Sequence, residues 1–122
     1  MSVDYAKSRE QFGSPIGVFQ AVKHKCSDMA LWAEAAWSQT VWSALELLAG
    51  QSNVSFQVVN AQMIAAEAAL DSARKAVQIH GGMGFTAEIN VHLFLKRAHV
   101  YEQLAGQPRI LQQRLLDFPL NV

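Results

Sequence analysis

Between Val54 and His80 the chain contains neither Gly nor Pro, while Phe56, Val59, Met63, Ala66, Leu70, Ala73 and Val77 recur at intervals of three and four. That spacing places all seven apolar side chains on one face of a helix. A face sustained over this length is the seam of a helical bundle. Ala61, Ala65, Ala68, Ala69 and Ala76 add small surfaces that let neighbouring helices approach closely. Alternation with period two is nearly missing from the rest of the chain, so the fold class is all-α.

The remaining elements follow from their breaks. A short first helix covers about residues 2–9, and Gly13-Ser14-Pro15-Ile16-Gly17 interrupts it. Pro15 forces the residue before it toward extended geometry. A second helix runs from about Val18 to Leu48, with Phe19, Val22, Cys26, Met29, Ala33, Ala36, Thr40 and Ala44 as its expected inner face. Trp32, Trp37 and Trp42 do not share that face, which makes a partner surface on this helix an expectation. Gly50-Gln51-Ser52-Asn53 is the turn into the Val54–His80 helix. A fourth helix begins after Thr86, which is expected to act as its N-cap, with Val91, Phe94, Ala98 and Tyr101 on one face. Gly106-Gln107-Pro108 ends it, a fifth helix covers about 109–117, and Pro119 closes the structure. Asp71 and Lys75 are spaced for an exposed ion pair. No repeat or linker divides the chain, so residues 1–122 form a single domain.

Composition narrows the function classes. The formal charge is zero, which argues against a basic nucleic-acid face or a charged membrane tether. The charge-free interval between Glu46 and Glu67 carries Gln51, Ser52, Asn53, Gln57, Asn60 and Gln62, so it does not read as a membrane span. Residues Met1 to Tyr5 contain no apolar signal core. The lone cysteine, Cys26, excludes an internal disulfide and fits a small buried apolar residue in a reducing cytosol, so a cytoplasmic location is expected.

Two segments carry candidate chemistry. Gln78-Ile79-His80-Gly81-Gly82-Met83-Gly84-Phe85-Thr86 puts three glycines directly after the long helix. Such a run reads either as a C-cap and turn, or as exposed backbone that admits a phosphate or another polar cofactor group. Arg9-Glu10-Gln11-Phe12-Gly13-Ser14-Pro15-Ile16 puts a guanidinium beside the first break, where it can clamp a phosphate. Gln20 and Gln78 can each donate to and accept from a planar or ribose-bearing ligand. His24, His80, His92 and His99 lack the helical spacing of a metal site, so no metal is expected. No nucleophile elbow is present, and the glycine run follows a helix where a dinucleotide fingerprint follows a strand.

Taken together, these segments resemble the C-terminal helical domain of the acyl-CoA dehydrogenase family over most of the chain. Arg9-Glu10-Gln11-Phe12-Gly13-Ser14-Pro15-Ile16 is similar to the family's Arg-x-x-Phe-Gly-x-x-Ile connection, and Phe19-Gln20 to its following Phe-Gln or His-Gln pair. Asp28-Met29, Gln78 through Thr86, and Lys96-Arg97-Ala98 resemble its Asp-Met, Gln-x-x-Gly-Gly-x-Gly-Phe and Arg-Asp-Ala stretches. The resemblance implies an up-and-down four-helix bundle with short terminal helices, set at the centre of a tetramer, with FAD across a dimer interface. It assigns Arg9, Gln11 and Phe12, with Gln20 beside them, to the flavin pyrophosphate. It assigns Gln78, Gly81 and Gly82 to contact with the same dinucleotide from a neighbouring copy.

The departures from the family pattern matter as much. Ala105, in Leu104-Ala105-Gly106-Gln107, stands where many members carry a catalytic glutamate, so no catalytic residue is expected in this chain. Glu102 lies nearly one helical turn away and is not a substitute. The family's N-terminal helical domain and β-domain, which hold the flavin ring and acyl thioester, are absent from these 122 residues. The implied function is the FAD-contacting, oligomer-forming part of a dehydrogenase that introduces an α,β double bond into an acyl-CoA, inactive as this chain alone. The alternative is a non-catalytic helical module that pairs with itself or with a full-length relative. The wording of the Gln78–Thr86 and His92–Ala98 segments resembles an actinobacterial subgroup, some members of which work as mixed assemblies on sterol-derived thioesters.

Overall fold

The computed structural model describes residues 1–119. Helix α1 (Ser2–Ser8) leads into a two-residue ladder, β1 (Glu10–Gln11) against β2 (Ser14–Pro15), and a short 3₁₀ turn at Ile16–Val18. Helices α2 (Gln20–Leu48) and α3 (Val54–His80) follow, then a 3₁₀ turn at Gly81–Phe85, α4 (Val91–Ala105) and α5 (Pro108–Leu116). The expected all-α helical bundle is observed.

Helix α3 is the shared core: α1, α2, α4 and α5 all pack on it. The inward face read from its sequence is the one buried, with Ala66, Leu70, Ala73 and Val77 under the other helices. Leu70 and Ala73 meet Ala98 of α4, and Ala76 and Val77 meet Val91 at its first turn. Val91 and Leu111 are the largest fully enclosed side chains, at 1% and 0% exposure, so α4 and α5 are each anchored by one aliphatic group. Full burial of such a side chain contributes about 1.5–3 kcal/mol. Pro108 opens α5, where its missing N–H costs no helical hydrogen bond.

Helix α2 departs from its expected face after Met29. Trp32, Ala36, Gln39 and Ser43 turn toward α3, while Ala33, Thr40 and Ala44 lie outward. The inward set Val22, Met29, Ala36 and Ser43 repeats every seven residues, the period of two helices wrapping around each other. Hydrogen bonds fix that register. Ser43 Oγ donates to the Gln57 carbonyl at 2.8 Å, and Gln39 Nε2 donates to Gln57 Oε1 at 2.9 Å. A face chosen by hydrophobicity alone passes over these two polar residues. Lower down, the expected Asp71–Lys75 pair forms at 2.8 Å, and Lys75 also reaches Asp28 of α2 at 3.0 Å.

Two further expectations change. Thr86 does not cap α4: its hydroxyl donates to the Met83 carbonyl at 2.9 Å and its N–H to the same oxygen at 3.1 Å, closing the glycine turn. Asn90 takes the N-cap position, and α4 starts at Val91. The break after α1 is a hairpin. Phe12 and Gly13 both have positive φ, 55° and 76°, the signs that a two-residue hairpin turn requires.

Candidate functional site

The two corners singled out in the sequence meet in one cleft of about 400 Å³. Arg9 and Gln11 line one side, and His80, Gly81 and Gly82 line the other, all within a single chain.

The arginine side is built by the end of α1. The Arg9 N–H still donates to Tyr5 at 2.8 Å, but its ψ of 120° turns the chain outward into β1. The Ile16 N–H then donates to the Arg9 carbonyl at 2.8 Å and holds the corner closed. Gly17 presses against the backbone of α1, where an added Cβ would lie 2.9 Å from the Ala6 oxygen.

The glycine side is built by the end of α3. Gly81 has φ 59° and ψ −137°, a combination that essentially only glycine accepts. A Cβ at Gly81 or Gly82 would meet nothing within 4 Å, so the backbone there is open for a ligand to approach. Gly84 serves the opposite purpose: a Cβ there would stand 2.8 Å from the Val77 oxygen, so only glycine lets the turn fold back on α3.

His80 and Tyr5 join the two sides. Their rings stack with centroids 4.2 Å apart, and both line the cleft. His80 Nδ1 lies 2.8 Å from the Ala76 carbonyl, which can only accept, so Nδ1 carries the hydrogen. Arg9 is the only Lys or Arg in the lining and no carboxylate joins it, an electrostatic balance suited to an anion. Sequence reasoning named Arg9, Gln11, Gly81 and Gly82 but passed over Tyr5, Ile16, Ile79 and Met83. The available signal for Tyr5 was its position four residues before Arg9 at the end of the same helix.

The other expected residues lie around this cleft. Gln78 lines a neighbouring hollow with Arg74, Val77 and Phe85, and Gly81 is a wall of both. Phe12 stands at the hairpin tip with 93% of its surface exposed, edge-on to Phe19 at 6.1 Å. A bulky residue with positive φ is strained, and here the strain projects an aromatic ring into solvent. Gln20 opens α2 directly after Phe19 and is exposed. Neither Phe12 nor Gln20 lines the cleft itself.

At the far end of α4, Ala105 is the last helical residue and Gly106 turns the chain with φ 106°. Glu102 faces a separate polar hollow with Trp32, Asp71 and Arg74, and its carboxylate lies 3.3 Å from His99 Nδ1. A more apolar groove, about 530 Å³, runs between α2, α3 and α4 beside the start of α1. Met29, Ala73, Val91, Phe94, Ala98 and Tyr101 are among its lining residues. Among the described residues, no group of three or more His, Cys, Asp or Glu side chains is placed to hold a metal ion. No described helix is long and apolar enough to cross a membrane.

Comparison with known proteins bears on the same segments. Residues 1–117 match the family model described as acyl-CoA dehydrogenase, C-terminal domain. The acyl-CoA dehydrogenase IpdE2 of Mycobacterium tuberculosis is 39% identical over 115 residues, covering 94% of this chain and 34% of that relative. The ChsE4-ChsE5 complex from Mycobacterium tuberculosis superposes with a TM-score of 0.89 at 29% identity, over 98% of this chain and 34% of the matched one. The FAD complex of PigA superposes with a TM-score of 0.88 at 25% identity, over 93% of this chain and 30% of the other. The chain thus spans about a third of the length of these relatives. With the arginine corner, the glycine corner and the bundle that holds them all in the family's order, this chain belongs to the acyl-CoA dehydrogenase family and corresponds to its C-terminal domain.

Proposed function

We propose that this chain is the FAD-contacting and oligomer-forming C-terminal part of an acyl-CoA dehydrogenase. The observation that carries this reading is the single cleft in which the Arg9 cation faces open backbone at Gly81 and Gly82. A pyrophosphate suits both features: a fixed positive charge, and backbone that it can approach closely with no side chain in the way; the Gly81 N–H itself is spent on the Val77 and Gln78 carbonyls. Arg9 would neutralise the phosphates, Gln11 would hydrogen-bond beside it, and the Tyr5–His80 stack would hold the two sides at a fixed separation. Phe12 would cover the dinucleotide from the hairpin tip, and Gln78 would reach it from the adjoining hollow. When bound, the flavin supplies the hydride-accepting chemistry, and protein groups supply binding and orientation.

On this reading, no described residue stands in the place of the family's catalytic glutamate. Ala105 has no ionisable side chain, and Glu102 is engaged with His99 in a different hollow. Dehydrogenation of an acyl-CoA therefore belongs to an assembly in which other polypeptide supplies the base and the flavin-ring pocket. The apolar groove beside α1 is surface that such polypeptide would cover.

Titration with FAD, followed by flavin fluorescence, tests this reading alongside a dye-reduction assay with acyl-CoA. The expected result is FAD binding that weakens about tenfold or more on Arg9→Ala, as loss of a charge-assisted contact requires. No acyl-CoA turnover by the chain alone is expected. Binding unaffected by Arg9→Ala, or no binding either alone or mixed with a full-length relative, would overturn the reading.

A further inference from the structure

We propose that His80 takes up a proton as a diphosphate enters the cleft, and that its Nε2–H then donates to a phosphate oxygen. This rests on the pyrophosphate reading above and adds to it a second cation, one that forms with the ligand. The starting observation is a buried imidazole with one nitrogen unused. His80 is 4% exposed and lines the cleft. Its Nδ1–H donates to the Ala76 carbonyl at 2.8 Å, and Nε2 has no hydrogen-bond partner among the described residues. Tyr5 covers one face of the ring. The edge left over is the Nε2 edge, and it is not fully enclosed. A buried polar group without a partner calls for an explanation, and the cleft beside it supplies one.

Tautomer and charge decide what that nitrogen can do. With its hydrogen on Nδ1, neutral His80 offers only a lone pair at Nε2. A phosphate oxygen also offers only lone pairs, so the two repel. Protonation turns Nε2 into a donor and leaves the Nδ1 hydrogen bond intact. The proton comes from solvent and returns there when the ligand leaves. Charge counting points the same way. The diphosphate diester of a dinucleotide carries two negative charges, and Arg9 is the only Lys or Arg in the lining. Imidazolium at His80 gives the cleft the second positive charge that the ligand requires.

The place of His80 on its helix favours the same state. It is the last residue of α3, a helix of 27 residues. The C-terminal end of a helix is the negative end of its dipole, which attracts a cation and disfavours an anion. A phosphate in this cleft therefore has that field to overcome, and imidazolium at the helix end offsets it. A diphosphate between Arg9 and His80 is attracted to both, so ligand and proton favour each other's binding. Tyr5 and Arg9 are the titratable or charged groups that share the cleft with His80. The glycine turn Gly81–Phe85 carries no ionisable side chain. Asp4, Lys7 and Glu10 near the start of the chain, Lys23 and His24 on α2, and Glu88 and His92 beside the start of α4 all lie outside the lining.

Calorimetric titration of the full chain with FAD tests this, because FAD keeps one charge state from about pH 5 to about pH 9 while imidazole titrates within that span. Binding is expected to be about tenfold tighter at about pH 5.5 than at about pH 8.5. It should come with net proton uptake, read from the dependence of the binding heat on the buffer's ionisation enthalpy. His80→Phe keeps a ring against Tyr5 and removes the donor. That variant is expected to bind as weakly at about pH 5.5 as wild type does at about pH 8.5, with no proton uptake and unchanged helical circular dichroism. His80→Gln restores a permanent donor, so its affinity should not depend on pH. Proton uptake is read on the wild-type chain itself, so the test holds even where a variant fails to fold. FAD binding by wild type without proton uptake, or equal uptake by folded His80→Phe, overturns the proposal and leaves the cofactor reading standing. No FAD binding at any pH, alone or mixed with a full-length relative, overturns both.

Discussion

Tyr5 of α1 lies over His80 of α3 with ring centroids 4.2 Å apart and planes 26° from parallel. This stack ties the arginine corner to the glycine corner, since Arg9 follows Tyr5 by one helical turn and Gly81 follows His80 directly. His80 is 4% exposed and tied to Ala76 through Nδ1, so it is the fixed member, and Tyr5 with the short α1 docks onto it. Tyr5→Ala is expected to cost on the order of 2 kcal/mol, from lost burial and stacking, and to release α1 from α3. Urea unfolding reads the stability, and FAD affinity should fall in the same variant although Tyr5 carries no charge. Tyr5→Phe keeps the ring and is expected to preserve both.

The glycines of the second corner separate into two kinds by the space around them. Gly84→Ala forces a Cβ to within 2.8 Å of the Val77 carbonyl oxygen. Backbone cannot give way cheaply there, so a loss of about 1–3 kcal/mol is expected. Gly82→Ala meets nothing within 4 Å, and its stability is expected to stay within about 0.5 kcal/mol of wild type. Yet Gly82 lines the cleft, so the added methyl should weaken FAD binding. Thermal unfolding and FAD titration on the two variants should thus give opposite rankings.

Phe12 offers a cleaner separation of stability from binding. Its positive φ costs about 1–2 kcal/mol for a residue with a Cβ, and glycine would remove that strain. Its edge contact with Phe19 contributes about 0.5–1.5 kcal/mol, and glycine would remove that too. The two terms are of similar size and opposite sign. Phe12→Gly is expected to leave the unfolding midpoint nearly unchanged while lowering FAD affinity, because the exposed ring makes only one aromatic contact within the chain. A large drop in stability would show that the ring is a structural part of the hairpin.

Much of this architecture could be read from residue order, and the exceptions have physical causes. Helix α3 begins and ends at Val54 and His80 as its uninterrupted stripe implied, because its inner face from Phe56 to Val77 is apolar throughout and no Gly or Pro interrupts it. The register of α2 was legible only as far as Met29. Beyond it the inward positions include Gln39 and Ser43, whose presence is explained by hydrogen bonds to Gln57 on another helix. Thr86 has the chemistry of an N-cap but spends its hydroxyl on Met83, a competition that local sequence does not rank. Arg9, Gln11, Gly81 and Gly82 could be named as site residues from type and spacing. That they share one chain's cleft depends on α1 folding back along α3, a long-range contact carried by Tyr5 and His80.

The cation that braces α2 against α3 should give the chain a stability loss at high pH. Lys75 Nζ lies 2.8 Å from Asp71 on its own helix and 3.0 Å from Asp28 on α2. The two carboxylates, Asp71 foremost, raise the pKa of Lys75 above its ordinary value. A lysine whose folded pKa exceeds its unfolded one holds more protons in the folded state between those values. Its contribution is therefore complete below the unfolded value of about 10.4 and disappears as pH rises through the folded one. The Asp71 oxygen that faces Lys75 is buried and meets no other donor, so removing the cation leaves it without a partner. Lys75→Met is expected to be less stable than wild type at neutral pH. The gap between the two should then narrow as pH is raised above about 10, because wild type loses its charge and the variant has none to lose. Urea midpoints for both proteins across that range measure the gap directly. A gap that stays constant with pH would mean that Lys75 stabilises through its methylene packing, with the ion pairs contributing nothing.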